Sequence, residues 1–575
     1  MTLDTKTTQD VAQIDHLQVR FSTDNGDFDA VKDASLSIAP GEILALVGES
    51  GSGKSVTSKA LLQMLPDSAI EAGTVLLRSG DKGLVDVHQL SANELRKMRG
   101  VDAAMVFQEP ATALNPVYKV GWQIAEGLRA HPELCDGAKL TKDSARKKAI
   151  EILGKVGIPD PEVRVDYYPH QFSGGQKQRI VIAQALVLGA KLIIADEPTT
   201  ALDVTVQAEI LALLKDIRDE FNTAILLITH NMGVVADMAD RVIVMNQGRI
   251  VESADVYELF KAPKDAYTQK LLAAVPKIAE ETRRANTRKM PLLVAPDADA
   301  RPEDIVVKAE NMSVTYPAHG GSPAFQAVKD VSFEIRKGEV MGLVGESGSG
   351  KSTIGRAIMG LSPFSGKLEV YGDVLSEIPT KERRLLRQRI GYVFQDPYGS
   401  FNPLLTIGEA VVEPMIVAGP NSPSGFGVKK AKDALPRVAE LLEMVHLPQS
   451  FATRYPHELS GGQRQRVGLA RALALQPDFI IADEPTSALD VSVQAEVLKI
   501  FLELQDELQF ACLFISHDLA VIDMVSDYIT VLYKGQIVEK GTGGQILTAP
   551  KEDYTKKLLG SLPIPDPVVQ RQSVK

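Results

Sequence analysis

The sequence predicts an α/β fold in which a mostly parallel sheet, with helices on its faces, is built twice along one chain. An apolar strand leads directly into a glycine-rich loop and then a helix, and apolar runs afterwards alternate with helical segments in a βαβ rhythm. The same order of segments returns in the second half. A chain of 575 residues that is 44% hydrophobic can bury more than one core. We therefore expect at least two domains of similar fold.

The glycine-rich loop follows the apolar residues 43–47 and has the pattern G-x-x-x-x-G-K-S. Its glycines let the backbone turn tightly, so that N–H groups point at phosphate oxygens, and the next helix adds the positive end of its dipole. The lysine supplies a charge for the β- and γ-phosphates, and the last serine supplies a hydroxyl for Mg²⁺. The residues assigned to nucleotide binding are Gly48, Ser50, Gly51, Ser52, Gly53, Lys54 and Ser55.

A second loop with the same eight letters follows the apolar residues 340–344. Lys54 recurs 297 residues later as Lys351, and the motifs further along recur at a spacing of 287. The first half thus holds ten additional residues, which we assign to a longer hairpin around residues 78–87. One loop could be a chance glycine-rich turn, but two in register argue against chance. The second set is Gly345, Ser347, Gly348, Ser349, Gly350, Lys351 and Ser352.

Paired carboxylates end one apolar strand in each half. Asp196 and Glu197 follow residues 192–195, and Asp483 and Glu484 follow residues 479–482. The aspartate can hold Mg²⁺, while the glutamate can polarise a water for attack on the γ-phosphorus. Solvated acids at a strand end are common for one copy, but they are improbable for two copies in phase with two phosphate loops.

Two further polar residues end strands in each half. His230 and His517 follow apolar strands, where an imidazole can bind a γ-phosphate or fix a catalytic carboxylate. Gln108 and Gln395 follow shorter strands and can reach the metal or the attacking water. Each residue alone would be an ordinary polar strand terminus. Their common register favours a functional role.

A Ser-Gly-Gly-Gln segment opens a helix in each half. A helix that starts in this way has an anion-binding N-terminus with little side chain in front of it. Helix capping alone would explain either copy, whereas the combination with the loops, carboxylates and histidines indicates nucleotide binding. The residues are Ser173, Gly174, Gly175 and Gln176 in the first half, and Ser460, Gly461, Gly462 and Gln463 in the second.

Together with the triplet Ala201-Leu202-Asp203, these motifs closely resemble those of ATP-binding-cassette (ABC) ATPases. The resemblance implies two tandem P-loop cassettes that bind ATP and Mg²⁺, each with a RecA-like core, an antiparallel β region and a helical subdomain. It also implies an intramolecular pseudo-dimer in which the phosphate loop and glutamate of one cassette face the Ser-Gly-Gly-Gln segment of the other. Phe21 and Tyr316 resemble the aromatic residues that stack on adenine, although Phe28 is nearby and either phenylalanine could belong to the core.

Several segments are similar to those of the peptide/nickel importer group, namely residues 107–116, 394–403, 266–272 and 553–559. This similarity implies an ATPase that energises the uptake of oligopeptides, dipeptides or related small solutes. Its partners would be two transmembrane permease subunits and an extracytoplasmic solute-binding protein. Some members carry an iron–sulfur cluster, but with only Cys135 and Cys512 we expect none here. The alternatives are a soluble tandem ABC ATPase that acts on ribosomes, and the ATPase of an exporter.

The domain boundaries follow from the repeat. We assign residues 1–277 to the first cassette with a C-terminal extension, 278–303 to a linker, 304–562 to the second cassette with its extension, and 563–575 to a tail. The linker is charged and contains prolines, which favours a surface connection, although a charged helix packed on one domain is the alternative.

Charge and hydropathy suggest the location. A net charge of −11 argues against a nucleic-acid partner. The N-terminus shows no secretory signal, and no apolar run approaches the roughly 20 residues of a membrane helix. We expect a cytoplasmic protein that is held at the cytoplasmic face of the membrane by its permeases.

Overall fold

The computed structural model describes residues 10–23, 26–134, 140–200, 202–275, 304–318, 324–396, 398–487 and 489–573. The chain divides into two compact units. The first unit comprises Met1–Leu202, Val206–Val275 and Leu562–Lys575, and the second comprises Asp203–Thr205 and Pro276–Ser561. The predicted linker at residues 278–303 lies outside the described residues, as do Cys135 and Ala201.

The first unit contains one sheet with the order β5-β4-β1-β2-β10-β9-β3-β8-β7-β6. Strands β6, β7, β8, β3 and β9 pair in parallel, whereas β5, β4, β1 and β2 form an antiparallel region. The central strands β3, β7 and β8 are buried along their whole length, as helices on both faces require. The strands are β1 (Ala12–Thr23), β2 (Gly26–Ile38), β3 (Ile43–Val47), β4 (Ala69–Arg78), β5 (Leu84–Asp86), β6 (Ala103–Val106), β7 (Leu192–Asp196), β8 (Ala224–Ile228), β9 (Arg241–Asn246) and β10 (Arg249–Asp255).

The helices of the first unit cover the sheet and form a separate helical layer. Helices α4, α5 and α7 pack on one another through a core that includes Ile124, Leu153 and Ile180. The helices are α1 (Lys54–Ala60), α2 (Ala92–Met98), α3 (Pro110–Ala113), α4 (Val120–Ala130), α5 (Lys142–Lys155), α6 (Pro161–Arg164), α7 (Gly174–Leu186), α8 (Val204–Phe221), α9 (Met232–Met238), α10 (Val256–Lys261) and α11 (Ala266–Ala273).

The second unit repeats this architecture with two sheets. An antiparallel sheet has the order β12-β11-β14-β15, and a second sheet has the order β16-β17-β18-β13-β19-β20, in which all neighbours are parallel except β19 and β20. The strands are β11 (Ile305–Tyr316), β12 (Phe325–Arg336), β13 (Val340–Val344), β14 (Ser365–Val370), β15 (Asp373–Val374), β16 (Ile390–Val393), β17 (Phe479–Asp483), β18 (Ala511–Ile515), β19 (Tyr528–Tyr533) and β20 (Gln536–Gly541).

The helices of the second unit follow the same order, with α14, α15 and α16 packed together as the helical layer. They are α12 (Lys351–Ile358), α13 (Thr380–Arg387), α14 (Ile407–Ala418), α15 (Leu435–Met444), α16 (Gly461–Ala472), α17 (Val491–Leu508), α18 (Leu519–Val525), α19 (Gly543–Thr548) and α20 (Asp553–Gly560). The last helix, α21 (Pro567–Ser573), belongs to the first unit, where it packs on α9 and α10.

The predicted fold class is confirmed in both halves, including the parallel core, the antiparallel region and the helical layer. The hairpin β4–β5 is longer than its counterpart β14–β15, but it holds only part of the ten additional residues of the first half. Gly73 lies against His16 as Gly366 lies against Asn311, and these glycines are 293 residues apart, so four of the ten residues lie between Lys54 and Gly73. Across the described ranges, no helix is both long enough and apolar enough to cross a membrane.

Candidate active sites

The first phosphate loop joins β3 to α1, and its shape depends on glycine. Gly48 has a φ of 150°, and a Cβ at this position would lie 2.1 Å from the carbonyl oxygen of Met245 on β9. In the second unit, a Cβ at Gly345 would lie 2.1 Å from the carbonyl oxygen of Leu532. A side chain would push the loop off the sheet at either position, because real Cβ atoms do not approach backbone so closely.

The loop lysine is buried and its ammonium group is held by the loop itself. Lys54 Nζ donates to the carbonyl oxygens of Gly48 and Glu49, both at 2.8 Å. Lys351 makes the equivalent bonds at 2.8 and 2.9 Å. Burial lowers the pKa of Lys351, although nearby carboxylates, first among them Glu484, oppose this effect. Both ammonium groups therefore lie inside the turn that would receive a phosphate.

In each unit, two of the three predicted metal ligands, the serine and the aspartate, come together beside the loop. Ser55 Oγ donates to Asp196 Oδ1 at 3.0 Å, and Ser352 Oγ donates to Asp483 Oδ1 at 2.8 Å. Burial raises the pKa of both aspartates. A hydroxyl and a carboxylate are hard oxygen donors of the kind that Mg²⁺ prefers, and a cation would favour the charged form of an acid that burial disfavours. The donor set therefore fits Mg²⁺.

In the first unit, two predicted residues, Gln108 and His230, surround the carboxylate of Glu197 together with Thr200. Gln108 Nε2 and Thr200 Oγ1 donate to Oε2 at 2.8 and 2.9 Å, and His230 Nδ1 lies 3.2 Å from Oε1. Burial alone would raise the pKa of Glu197, but the contacts with His230 and Thr200 and the charge of Lys54 outweigh it and lower the pKa. Glu197 is thus held as a carboxylate that can accept a proton or orient a water.

The second unit repeats this arrangement around Glu484. Gln395 Nε2 donates to Oε2 at 3.0 Å, and His517 Nδ1 lies 3.2 Å from the same oxygen. The pKa of Glu484 is lowered because His517, Lys351 and Gln395 together outweigh its burial. Burial would lower the pKa of His517, but its hydrogen bond to Glu484 raises it.

Both glutamates have a backbone conformation that is unusual for a residue with a side chain. Glu197 and Glu484 each have a φ of 47°, in the left-handed region. Their N–H groups donate to the carbonyl oxygens of Ile228 at 2.9 Å and Ile515 at 3.0 Å, on the neighbouring strand. Strain of this kind persists where the surroundings fix a side chain for function. The hydrogen bonds hold each glutamate at the end of its strand with its carboxylate in the polar cluster.

The Ser-Gly-Gly-Gln segments begin α7 and α16 in the helical layers, whereas the phosphate loops, carboxylates, histidines and glutamines follow the carboxyl ends of parallel strands. Ser173 Oγ accepts the N–H of Gln176 at 3.3 Å, and Ser460 Oγ accepts that of Gln463 at 3.3 Å. Ser173, Gly174 and Ser460 are exposed. In each unit the start of this helix is therefore open to an anion.

The proposed adenine residues lie at the ends of β1 and β11. Phe21 packs on the core of the first unit and pairs across the strands with Phe28, which is 58% exposed. The hydroxyl of Tyr316 lies 3.5 Å from Thr353 Oγ1 at the start of α12. Both residues are partly buried, and their role in adenine stacking stays a prediction.

Three kinds of contact at the sites were not predicted from the sequence. Thr200 donates to the carboxylate of Glu197, and its position three residues after Glu197 was a possible signal. Tyr392 OH donates to Asp483 Oδ2 at 2.8 Å. Tyr267 and the corresponding residue of the second unit, Tyr554, touch the phosphate loops, although the sequence marked them only as part of a similar segment.

Comparisons with known proteins show the family of this chain. The ABC transporter family model matches residues 31–200 and 328–487. The glutathione import ATP-binding protein GsiA of Salmonella paratyphi A is 43% identical, over 97% of this chain and 90% of that protein. The chain belongs to the ABC transporter family. It is an ATPase with two cassettes, as the sequence motifs predicted.

A second family model and a further relative identify the branch of the family. The model for the oligopeptide/dipeptide transporter C-terminal region matches residues 251–297 and 538–574. The GsiA protein of Escherichia coli O157:H7 is 42% identical, over 98% of this chain and 91% of that protein. A dimeric post-hydrolysis structure of the ATP-binding cassette MJ0796, bound to ADP and Pi, is 32% identical and covers 41% of this chain and 98% of that chain, with a TM-score of 0.36. The prediction of an ATPase of the peptide importer family is confirmed over the ribosomal and exporter alternatives.

Proposed function

We propose that this ABC ATPase energises the uptake of short peptides, with glutathione as a candidate cargo, through two transmembrane permeases that a solute-binding protein supplies. The observation that supports this proposal best is that the nucleotide-site residues and the C-terminal region each occur twice in the chain. Each half contains a complete phosphate-loop and glutamate cluster, and each half is followed by an oligopeptide/dipeptide transporter C-terminal region. The curated relatives named above are glutathione import proteins, which favours a peptide cargo.

We assign a chemical role to each of the residues that meet at the carboxyl ends of the parallel strands. The phosphates of ATP bind to the loop N–H groups and to Lys54 or Lys351. Glu197 or Glu484 polarises the attacking water, while the histidine fixes the carboxylate and contacts the γ-phosphate. Ser55, Gln108 and Asp196, with their counterparts Ser352, Gln395 and Asp483, would hold Mg²⁺, which supplies positive charge to the phosphate oxygens.

A single cassette provides only part of the anion-binding groups that the motifs imply. We propose that ATP pairs the two cassettes head to tail, so that the phosphates on one loop also bind the Ser-Gly-Gly turn of the other cassette. The exposure of Ser173 and Gly174 at an unobstructed helix N-terminus supports this role. ATP would then favour the closed state by its differential affinity, and hydrolysis would release it.

We place the permease-binding surface around the segments that come after Gln108 and Gln395 in the chain. In the first cassette, a groove of about 250 Å³ is lined by residues that include Met64, Met105, Phe107 and Val181. Apolar side chains beyond the glutamines are exposed, among them Val117 in the first cassette and Leu404 in the second. Exposed apolar surface of this kind commonly marks a site of protein interaction. We place the chain at the cytoplasmic face of the membrane, held there by the permeases, and we propose no nucleic-acid partner.

Transport in proteoliposomes tests this proposal. The chain is co-purified with its membrane partners, reconstituted with the binding protein, and supplied with labelled glutathione or a labelled dipeptide on the side opposite the cassettes. We expect accumulation that requires ATP on the cassette side and is lost in the Lys54→Ala/Lys351→Ala variant. ATP-driven movement away from the cassette side, or purification without any membrane protein, would contradict it.

A further inference from the structure

We propose that Tyr267 and Tyr554 are positioning residues of the two phosphate loops. Each belongs to a helix of the C-terminal extension, Tyr267 to α11 and Tyr554 to α20. The hydroxyl of Tyr267 accepts the backbone N–H of Glu49 at 3.0 Å, and that of Tyr554 accepts the N–H of Glu346 at 3.0 Å. The same contact thus occurs in both units at the same distance, although 218 and 208 residues separate the partners.

The contact fixes one particular peptide group. The N–H of Glu49 and the carbonyl of Gly48 belong to the same peptide plane, and Lys54 Nζ donates to that carbonyl at 2.8 Å. The tyrosine hydroxyl and the lysine ammonium group therefore bind the two edges of one peptide. The preceding residue is a glycine, whose wide choice of backbone angles would otherwise let this peptide rotate.

The peptide between Gly345 and Glu346 is held in the same way. Lys351 Nζ donates to the carbonyl oxygen of Gly345 at 2.8 Å, while Tyr554 accepts on the other edge. A rotation of either peptide would break both contacts and turn the lysine away from its place inside the loop. The hydroxyl thus acts on ATP through the loop and the lysine, which makes the tyrosine a positioning residue and not a catalytic one.

The extension helix is anchored to the sheet just before the first tyrosine. Glu252 on β10 is buried, and its carboxylate accepts the N–H groups of Lys264 at 2.8 Å and Asp265 at 3.1 Å. Asp265 in turn accepts the N–H of Tyr267 at 2.8 Å. This chain of hydrogen bonds leads from a core strand to the phosphate loop.

The second unit has the corresponding anchor. Glu539 on β20 accepts the N–H groups of Lys551 at 2.8 Å and Glu552 at 3.2 Å, directly before α20. The ring of Tyr554 also stacks on Tyr533 with centroids 4.0 Å apart. In both units the extension is thus built to present a hydroxyl to the loop.

A purely structural role of the tyrosine makes a different prediction. The ring of Tyr267 packs on the apolar cluster beneath the extension, and this packing needs no hydroxyl. Phenylalanine would keep the ring and remove only the acceptor. If the ring alone matters, Tyr267→Phe and Tyr554→Phe would leave ATP binding unchanged.

The test uses the full chain with Tyr267→Phe and Tyr554→Phe combined, and Tyr257→Phe as the matched control. Tyr257 lies in the same extension, but its hydroxyl faces Arg571 at 3.4 Å and not the loop. We expect the double variant to bind ATP about five- to tenfold more weakly and to raise KM similarly, with kcat within about threefold of wild type. Amide hydrogen exchange at residues 48–50 and 345–347 should become faster, while the control should match wild type in each measurement.

This inference rests on the proposed binding of ATP by the loops, and the two can fail separately. Absence of ATP binding by the wild-type chain would overturn the site assignment itself. Normal binding and turnover by the wild type, with an unchanged ATP Kd in the double variant, would overturn only the role of the tyrosines. A lower melting temperature with unchanged Kd would likewise reduce them to structural residues.

Discussion

The two candidate active sites place the same residues at the same strand ends, but they differ in the side chains beside the carboxylates. In the second cassette, Asp483 accepts from both Ser352 and Tyr392, each at 2.8 Å. The first cassette has Met105 at the position of Tyr392, and a thioether cannot donate to Asp196. Asp483, the proposed metal ligand of the second site, therefore accepts a hydrogen bond from one more side chain than Asp196 does.

The two glutamates proposed to activate water differ in the opposite direction. Thr200 Oγ1 donates to the carboxylate of Glu197, whereas the corresponding hydroxyl of Ser487 donates to the backbone carbonyl of Glu484 at 3.2 Å. In the first site, the carboxylate of the glutamate thus accepts an additional hydrogen bond from a hydroxyl group. In the second site, the carboxylate of the aspartate does. Duplication has kept the motif residues, while their neighbours have diverged, so we expect two active sites with unequal properties.

The largest effect should come from the glutamates. Glu197→Gln or Glu484→Gln should slow hydrolysis at its own site by roughly 10²–10⁴-fold, because a positioned general base is lost, while ATP binding persists. Steady-state ATPase assays of each single variant would then report the other site and give the relative rates of the two. Near-normal turnover in the double variant would refute the assigned roles.

Loss of the loop lysine should have the next largest effect. Lys54→Ala or Lys351→Ala removes an ammonium group that would bind the phosphates through charge-assisted hydrogen bonds, and we expect roughly 10- to 100-fold weaker binding at that site. Titration with a fluorescent ATP analogue measures this change. The conservative variants Lys54→Arg and Lys351→Arg keep the charge and serve as controls, and wild-type binding by both alanine variants would refute the phosphate-loop assignment.

Tyr392 should account for a smaller difference between the sites. In a Glu197→Gln background, where only the second site turns over, Tyr392→Phe should lower the Mg²⁺ concentration for half-maximal activity about three- to tenfold, because Asp483 Oδ2 loses its hydroxyl donor. A Mg²⁺ titration of the ATPase rate measures this shift. An unchanged or higher Mg²⁺ requirement would show that Tyr392 does not compete with the metal.

Thr200 should have the smallest effect of the four. In a Glu484→Gln background, Thr200→Val keeps the shape of the side chain and removes one donor to Glu197, so we expect turnover at the first site to fall about two- to fivefold. The matched control is Ser487→Ala in a Glu197→Gln background, because the hydroxyl of Ser487 donates to the backbone carbonyl of Glu484 and not to its carboxylate. Equal effects of the two substitutions would remove this distinction between the glutamates.

The sequence predicted those parts of the sites that local pattern determines. The order of strand, loop and helix, and the carboxylates at strand ends, follow from periodicity and from the rule that parallel strands bring their carboxyl ends to one edge. Contacts across the sheet were missed, because Tyr392 meets Asp483 only once β16 pairs with β17 in a given register. Tyr267 was missed as a loop contact for a related reason, since its partner is 218 residues away.

The end of the chain shows the same limit. The sequence assigned residues 563–575 to a tail, whereas the structure forms α21, in which Arg571 donates to the carbonyl oxygens of Ala236 and Ala239 at the end of α9. The local sequence carries no sign of this docking, because the acceptors belong to a surface more than 300 residues earlier in the chain.

The central claim is that one chain contains two complete sites whose glutamates are needed for hydrolysis but not for binding. The most direct measurement is the nucleotide content of the Glu197→Gln/Glu484→Gln chain after incubation with ATP and Mg²⁺ and rapid removal of free nucleotide. Our account predicts two ATP molecules per chain and almost no ADP. One nucleotide per chain, or two that are mostly ADP, would contradict it.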